Sequence, residues 1–330
     1  MNRALWAGVR VLGGIAILGV IGWQLGTGPF LDGLRAVDPG SIALAVVITC
    51  VTTIAYAYRW RVVARGLGVG LPLPTAIAAY YRSQFLNTVL PGGIVGDVHR
   101  GVDHGRTAGS VSRGLRAVAW DRIAGQIAQL GLTVLAVAVL PSPVRSVLPI
   151  VVACAAVVVL ALAGVVRFAP RTGISRSAHA WRVAASDMRH GVLARRAWPA
   201  ITTASVVVVT GHVWVFVIAA HAVGVDAPLR VLIPLALLVL VAGSLPTNIG
   251  GWGPREGAAA WAFSSAGLGA DQGVATATAF GVLGLIAILP GAIVAVAGMA
   301  RRYAGSEPAS TLDRPERRLE HDQLGVRGGT

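Results

Sequence analysis

Asp121, Arg122, Gly125, Gln126, Gln129 and Thr133 are spaced so that, at a helix's 100° per residue, they fall within one arc of about 140°. A polar stripe on an apolar run needs protein or water around it. An ionisable group inside a bilayer costs at least ~2.5–3.5 kcal/mol on insertion scales unless it is paired. The stripe therefore predicts a hydrated path. The structural alternative has Asp121 and Arg122 as interface anchors, but Gln126 and Gln129 carry the stripe further inward. Tyr80, Ser83, Gln84 and Asn87 share a second helical face, which leads to Pro91, Gly92, Gly93, Gly96, Asp97 and Arg100. Asp97 and Arg100 are three apart and can pair locally if that segment is helical. A third group runs from Pro246 through Asn248, Gly250, Gly251 and Trp252 to Arg255 and Glu256. A helix starting after such a glycine-rich stretch presents free amides and a positive dipole end, suited to a phosphate or carboxylate, and Arg255 can add a bidentate contact. Neighbouring side chains on a helix diverge, so Arg255 is expected to reach Asp97 or Asp121, and Glu256 to reach Arg100 or Arg122.

Two of these groups share a spacing, L-P-x-x-I-x-G-x-x-x-R. It occurs at Leu90, Pro91, Ile94, Gly96 and Arg100, and again 155 residues on at Leu245, Pro246, Ile249, Gly251 and Arg255. Proline removes a backbone donor and glycine weakens a helix, so matched breaks in apolar sequence suggest paired discontinuous helices, with Pro91, Gly92, Gly93, Pro246, Gly250 and Gly251 as the breaking residues. Such pairs often mark a transporter's binding site.

The elements that position these groups are membrane spans. The chain has 330 residues, 55% of them hydrophobic and 13% charged, with runs long enough to cross a bilayer. Continuous spans are expected at about 9–26, 40–58, 117–140, 147–167, 199–222 and 272–299. The net charge of +14 comes from arginine alone. Its clustering between apolar runs reads as an orientation signal and a contact with anionic lipid, not as a nucleic-acid surface. Arginines 59, 61 and 65, and the set between 167 and 196, place those loops in the cytoplasm, whereas Asp32 to Asp38 and Asp226 to Arg230 read as external. By parity, 75–99 enters and leaves from the inner face and 229–268 from the outer. The expected fold is thus an all-α polytopic membrane protein with about six full spans and two re-entrant or broken helical hairpins in an inverted repeat. Residues 1–302 form the transmembrane domain and 303–330 a disordered cytoplasmic tail, so both termini are cytoplasmic. The 168–198 loop can form an interfacial helix. Cys50 and Cys154 lie in apolar runs without paired spacing and read as buried structural thiols. His212 and His221 are nine apart, on opposite sides of a helix, so no metal site is expected from them. No ATP-binding, dinucleotide-binding or recognisable nucleophile motif occurs, and no cofactor is implied.

The order R-S-Q-F-L-N-T-V-L-P-G-G-I-V-G-D-V-H-R, then D-R-I-A-G-Q, then G-G-W-G-P-R-E-G resembles the transmembrane region of lysylphosphatidylglycerol synthases, over roughly residues 10–300. Asp121 stands where that pattern leads one to expect Glu. In bifunctional members this region is taken to move aminoacylated phosphatidylglycerol between leaflets, while a soluble C-terminal domain makes it. The thirty or so residues after the last span here leave no room for that domain. The resemblance thus implies a flippase-like lipid translocator in the cytoplasmic membrane, handling an anionic or aminoacylated phospholipid or a related lipid-linked substrate. In it, Arg100, Arg122 and Arg255 engage an anionic headgroup. Asp97, Asp121 and Glu256 hold those arginines or meet a cationic aminoacyl group, and Gln84, Asn87, Gln126 and Asn248 line the path. The partners expected are membrane lipids and a separate lipid-modifying enzyme. The alternatives are a membrane-embedded glycosyl or acyl transferase using Asp97, Asp121 or Glu256 as acid or base, and a non-catalytic subunit of an envelope-lipid assembly.

Overall fold

The structure, a computed structural model, describes residues 27–90, 93–140, 145–168, 175–244 and 253–304, without the side chains of 166, 176 and 298–304. The expected first span, the tail beyond 304 and the breaking residues Pro91, Gly92, Pro246, Gly250 and Gly251 lie outside the described residues, as does Asn248. Twelve helices are described, and no strand is present among the described residues. A short α1 (Gly28–Arg35) precedes α2 (Pro39–Gly66), and a hairpin of α3 (Leu73–Val89) and α4 (Val95–Thr107) leads to α5 (Val111–Val139). After α6 (Leu148–Arg167) and α7 (Arg176–Asp187) the same order returns. The span α8 (Trp198–Ala222) is followed by the hairpin α9 (Leu229–Gly243) and α10 (Pro254–Ser265), then α11 (Ala270–Ala287) and α12 (Pro290–Ala304).

Five helical segments are long and apolar enough to cross a membrane: Pro39–Gly66, Val111–Val139, Arg145–Val165, Trp198–Ala222 and Ala270–Ala287. The hairpin arms are not. At 1.5 Å per residue even α3, with 17 residues, covers about 25 Å, short of a ~30 Å hydrocarbon core. Each arm packs on its partner arm instead, and α4 and α10 pack on the spans that follow them. Those two crossings are made at matching glycines. A Cβ at Gly114 of α5 would run into Gly101 and Gly105 of α4, and one at Gly273 of α11 into Ala259 and Ala260 of α10.

The two units are inverted. Arg59 of α2 hydrogen-bonds Ser205 of α8, and Thr52, a turn or two back along α2, packs on Gly211 further along α8. The first spans of the two units therefore run antiparallel. Each unit has its own apolar core, one around Trp60, Val63 and Val118, the other around Phe216, Leu232, Leu235 and Phe263.

Three expectations are corrected. The second span does not stop at 58; α2 runs to Gly66, so Arg59 is a helix-interior residue with 2% exposure and not part of a loop. The span expected over 272–299 is two helices, because Pro290 has no amide to continue the ladder and Gly291 brings α12 against the backbone of Tyr81 in α3. Cys50 and Cys154 are exposed on the outward faces of α2 and α6, so neither is a buried thiol. The basic loop does form a helix, α7, fastened to α5 through Asp187, which accepts from Arg116 at 2.7 Å and Trp120 at 3.3 Å.

Candidate functional site

Between the units lies a cavity of about 340 Å³. Its wall draws on α2, α3, α4 and α5 of the first unit and on α8, α9, α10 and α11 of the second. Of the residues expected to bind substrate, Arg122, Arg255, Asp97, Gln84, Asn87 and Gln126 line it, as do Gln129, Gly125 and the hairpin's Gly93. Arg100, Asp121 and Glu256 do not line it; they stand behind the wall and hold the side chains that do.

The first unit's network is centred on Asp121, a residue with no solvent exposure. Its Oδ1 accepts from Arg59 Nε at 2.8 Å. Its Oδ2 accepts from the Tyr80 hydroxyl at 2.7 Å and from Arg100 Nη2 at 3.0 Å. Arg100 turns its Nε to Asp97 at 3.0 Å, the local pair expected from their spacing, and lies between the rings of Tyr80 and Trp60, at 4.0 and 4.6 Å. Asp97 also accepts from Ser83 at 3.1 Å, from Asn87 at 3.0 Å and from Arg122. Asn87 in turn accepts the Gly96 amide at 2.8 Å, closing the interruption between α3 and α4. A glycine is required at 96, where a Cβ would meet the Ser83 backbone. Every carboxylate oxygen of the two aspartates thus meets at least one donor, which makes charged carboxylates tolerable at this depth.

Three arginines, 59, 100 and 122, face two aspartates, 97 and 121, so the network carries one excess positive charge. The excess points to the cavity. Arg100 and Asp121 are sealed, whereas the Arg122 side chain is 49% exposed and lines the wall.

In the second unit Arg255 and Glu256 pair with each other. Glu256 Oε1 accepts from Arg255 Nε at 2.9 Å and Nη2 at 2.6 Å, and Oε2 accepts the Gly253 amide at 2.6 Å, capping the start of α10. The guanidinium bends back over its own neighbour and lies 5.5 Å from the Phe280 ring. The expected pairs of Arg255 with Asp97 or Asp121, and of Glu256 with Arg100 or Arg122, do not form: the first unit's arginines already saturate the aspartates, and the Gly253 cap fixes Glu256. Polar links between the units are instead made by Gln126 Nε2 to Ser244 Oγ at 2.8 Å and by Arg59 to Ser205 at 3.1 Å. The repeated spacing also aligns the wrong residues. Arg100 is the sixth residue of α4 and Arg255 the second of α10, while Asp97 and Glu256 both stand third in their helices. The duplicated feature is an acid in the first turn of the second arm.

Among the wall residues that were not anticipated, Arg59, Tyr56 and His212 bear on the chemistry. Arg59 reads in the sequence as the first of a loop cluster, and only the length of α2 reveals that it points inward. Tyr56 stacks on Tyr80 at 5.0 Å. His212 lines the wall edge-on to Tyr56. Its Nδ1 lies 2.8 Å from the Val208 carbonyl, which can only accept, so Nδ1 carries the proton and Nε2 of the neutral ring is an acceptor. No cluster of three metal-ligating side chains occurs among the described residues.

The family model for the lysylphosphatidylglycerol synthase transmembrane region matches residues 6–291, nearly the whole length over which the resemblance was read. A comparison with curated proteins returned no match.

Proposed function

The chain belongs to the lysylphosphatidylglycerol synthase transmembrane-region family, a multi-pass membrane family linked to lipid handling, and we propose that it moves the headgroup of an anionic or aminoacylated phospholipid through the cavity between its two inverted units. The observation that carries this reading is the wall. Three arginines, 59, 122 and 255, and one aspartate, 97, surround a chamber of about 340 Å³ at the junction of two antiparallel units. An uncompensated positive charge at membrane depth is costly, and a lipid phosphate entering the chamber offsets it. Arg122 and Arg255 take the phosphate oxygens. Gln84, Asn87, Gln126 and the Nε2 acceptor of His212 meet the hydroxyls or ammonium of the headgroup. When Arg122 turns to the phosphate, Asp97 keeps only Arg100 of its two arginines and can meet a cationic aminoacyl group. Arg100, Asp121 and Glu256 act by holding these groups in place. On this reading the protein sits in the cytoplasmic membrane with both termini inside, works beside a separate lipid-modifying enzyme, and needs a gradient or partner for uphill movement.

Leaflet exchange of labelled phosphatidylglycerol and its aminoacylated form, by purified protein in liposomes, tests this. Wild type should exchange the label, and Arg122→Ala and Arg255→Ala, folded by their melting curves, should lose at least about tenfold of the rate, the worth of one charge-assisted contact. Absence of exchange by wild type, with and without a proton gradient, would overturn the translocator reading in favour of a transferase or a partner subunit.

A further inference from the structure

On the far side of the ion network lies a second cavity of about 360 Å³, between the α2–α3 connection, α3, α4 and α12. Arg100 is the network member that lines it, and Arg100 does not line the central cavity. The two chambers are therefore separate and back onto one wall.

The second cavity is rich in donors that have nothing to bond. Trp60 Nε1, Arg82 Nε, Arg100 Nη1 and His104 Nε2 all belong to side chains that line it, and all four atoms are buried without a hydrogen-bond partner among the described residues. Indole and guanidinium nitrogens never accept, so three of the four are obligate donors. The side chains that carry them are fixed. Trp60 and Arg100 are 0% and 1% exposed and stack on each other, His104 is 9% exposed and meets the Trp60 ring edge-on at 5.5 Å, and Arg82 is anchored to Asp103 at 2.8 Å. Most buried polar groups in proteins find a partner, so four orphans around one chamber call for a ligand that accepts. Charge selects which kind. The Arg82–Asp103 pair is neutral, so the choice rests on the unmet guanidinium nitrogens of Arg82 and Arg100, whose strongest acceptor is an anion.

We propose that this second cavity binds a phosphate-bearing group, held by Arg100, Arg82 and the Trp60 indole. Its volume exceeds that of a bare phosphate, and Leu71, Ala79 and Val294 in the wall leave room for an organic substituent. The phosphate is either free in the aqueous phase or the phosphodiester of a lipid headgroup. In both cases it binds Arg100 from behind and so bears on the same aspartates that the central cavity uses.

The test is the melting temperature of the purified full chain in maltoside micelles, at matched ionic strength, with chloride, inorganic phosphate, glycerol phosphate or short-chain phosphatidylglycerol. A rise with inorganic phosphate identifies the free anion as sufficient, and a rise confined to phosphatidylglycerol identifies a lipid headgroup. Trp60→Phe keeps the ring stack and removes one donor. It should melt somewhat lower than wild type without ligand, because a fully buried ring is trimmed, but remain folded and bind the active ligand about tenfold more weakly, the loss of one hydrogen bond to a charged group. Arg82→Gln, at the rim, should show a loss of similar size, and Arg122→Gln, which alters the central cavity, should leave the response in place. No rise with any of the three phosphates, wild-type affinity in both Trp60→Phe and Arg82→Gln, or loss of the response in Arg122→Gln would each overturn the proposal.

Discussion

The two units share one order of elements, span, short arm, short arm, span, yet they hold their charges differently. In the first, Asp121 and Asp97 are bound by groups from α2, α3, α4 and α5, and removing Asp121 leaves Arg59 buried without a carboxylate. In the second, Arg255 and Glu256 pair with each other within one helix turn, and Arg255 lines the cavity. The first unit's charges therefore tie four helices together, whereas the second unit's charges tie α10 to its own start. A common fold does not oblige its copies to share a charge pattern; what recurs is the acid in the first turn of the second arm, which each unit uses differently.

Neutralising the acid at the centre of each arrangement should have the largest effect. Asp121→Asn leaves Arg59 and Arg100 in a sealed site and should cost about 3–5 kcal/mol, seen as a large fall in melting temperature or a failure to fold. Glu256→Gln keeps one acceptor and leaves Arg255 able to turn to the cavity, and should cost about 1–3 kcal/mol. Equal losses in the two variants would break the distinction between a carboxylate that ties several helices and one paired with its sequence neighbour.

The glycines under the arginines give the next effect. A Cβ at Gly125 would sit 2.7 Å from Arg59 Nη1, and one at Gly281 would press on the Arg255 guanidinium. Arg59 is held at both ends, by Asp121 and Ser205, so Gly125→Ala should cost about 1–3 kcal/mol as overpacking. Arg255 borders the cavity, so its guanidinium has space on that side, and Gly281→Ala should cost less than Gly125→Ala while changing exchange rates. If Gly125→Ala is the better tolerated of the two, the first unit is not the rigid one. A smaller effect is expected at the link between units. Gln126→Ala removes its bond to Ser244 at a partly wet site and should shift stability by about 0.5–1.5 kcal/mol, read from the same melting curves.

Much of this was legible in the sequence. The polar stripe on α5 and the face of α3 follow from helical spacing, and apart from Asp121 and Thr133, which do not line it, their residues do line one cavity, because periodicity is a local property that survives into the fold. The family was legible from three motifs in order. The pairings were not. Whether Arg255 turns to Asp97 or to Glu256 depends on how α10 starts, and its amide cap at Gly253 is set by a backbone φ of +108° that no spacing records. Arg59 was hidden for another reason: an apolar run that ends in arginines looks like a span followed by a loop, and the two extra helical turns to Gly66 that bury it are stabilised by tertiary contacts with Asp121 and Ser205, far along the chain. The break before α12 was within reach, since Pro290 stands inside the run expected to be one span.

The smallest expected effect concerns the entry of each unit's first span. Asp38 caps α2, accepting the Gly40 amide at 2.8 Å and the Ser41 amide at 3.1 Å as well as the Ser41 hydroxyl, whereas α8 begins at Ala197 with no side-chain cap. The bond from the Ser41 hydroxyl, followed by that from its amide, holds the Asp38 carboxyl below its ordinary 3.8. A carboxyl depressed in the folded state contributes stability that is fully present above its unfolded value and is lost as pH falls through the folded one. Melting of wild type should therefore weaken slightly below about pH 4, over and above any general acid effect. Asn caps a helix about as well as Asp but does not titrate, so Asp38→Asn should match wild type near neutrality and lack that acidic component. Asp38→Ala should melt lower at every pH above it. Because α8 has no such carboxyl, the acid-sensitive component belongs to the first unit alone, and an unchanged acid profile in Asp38→Asn would remove this last difference between the two.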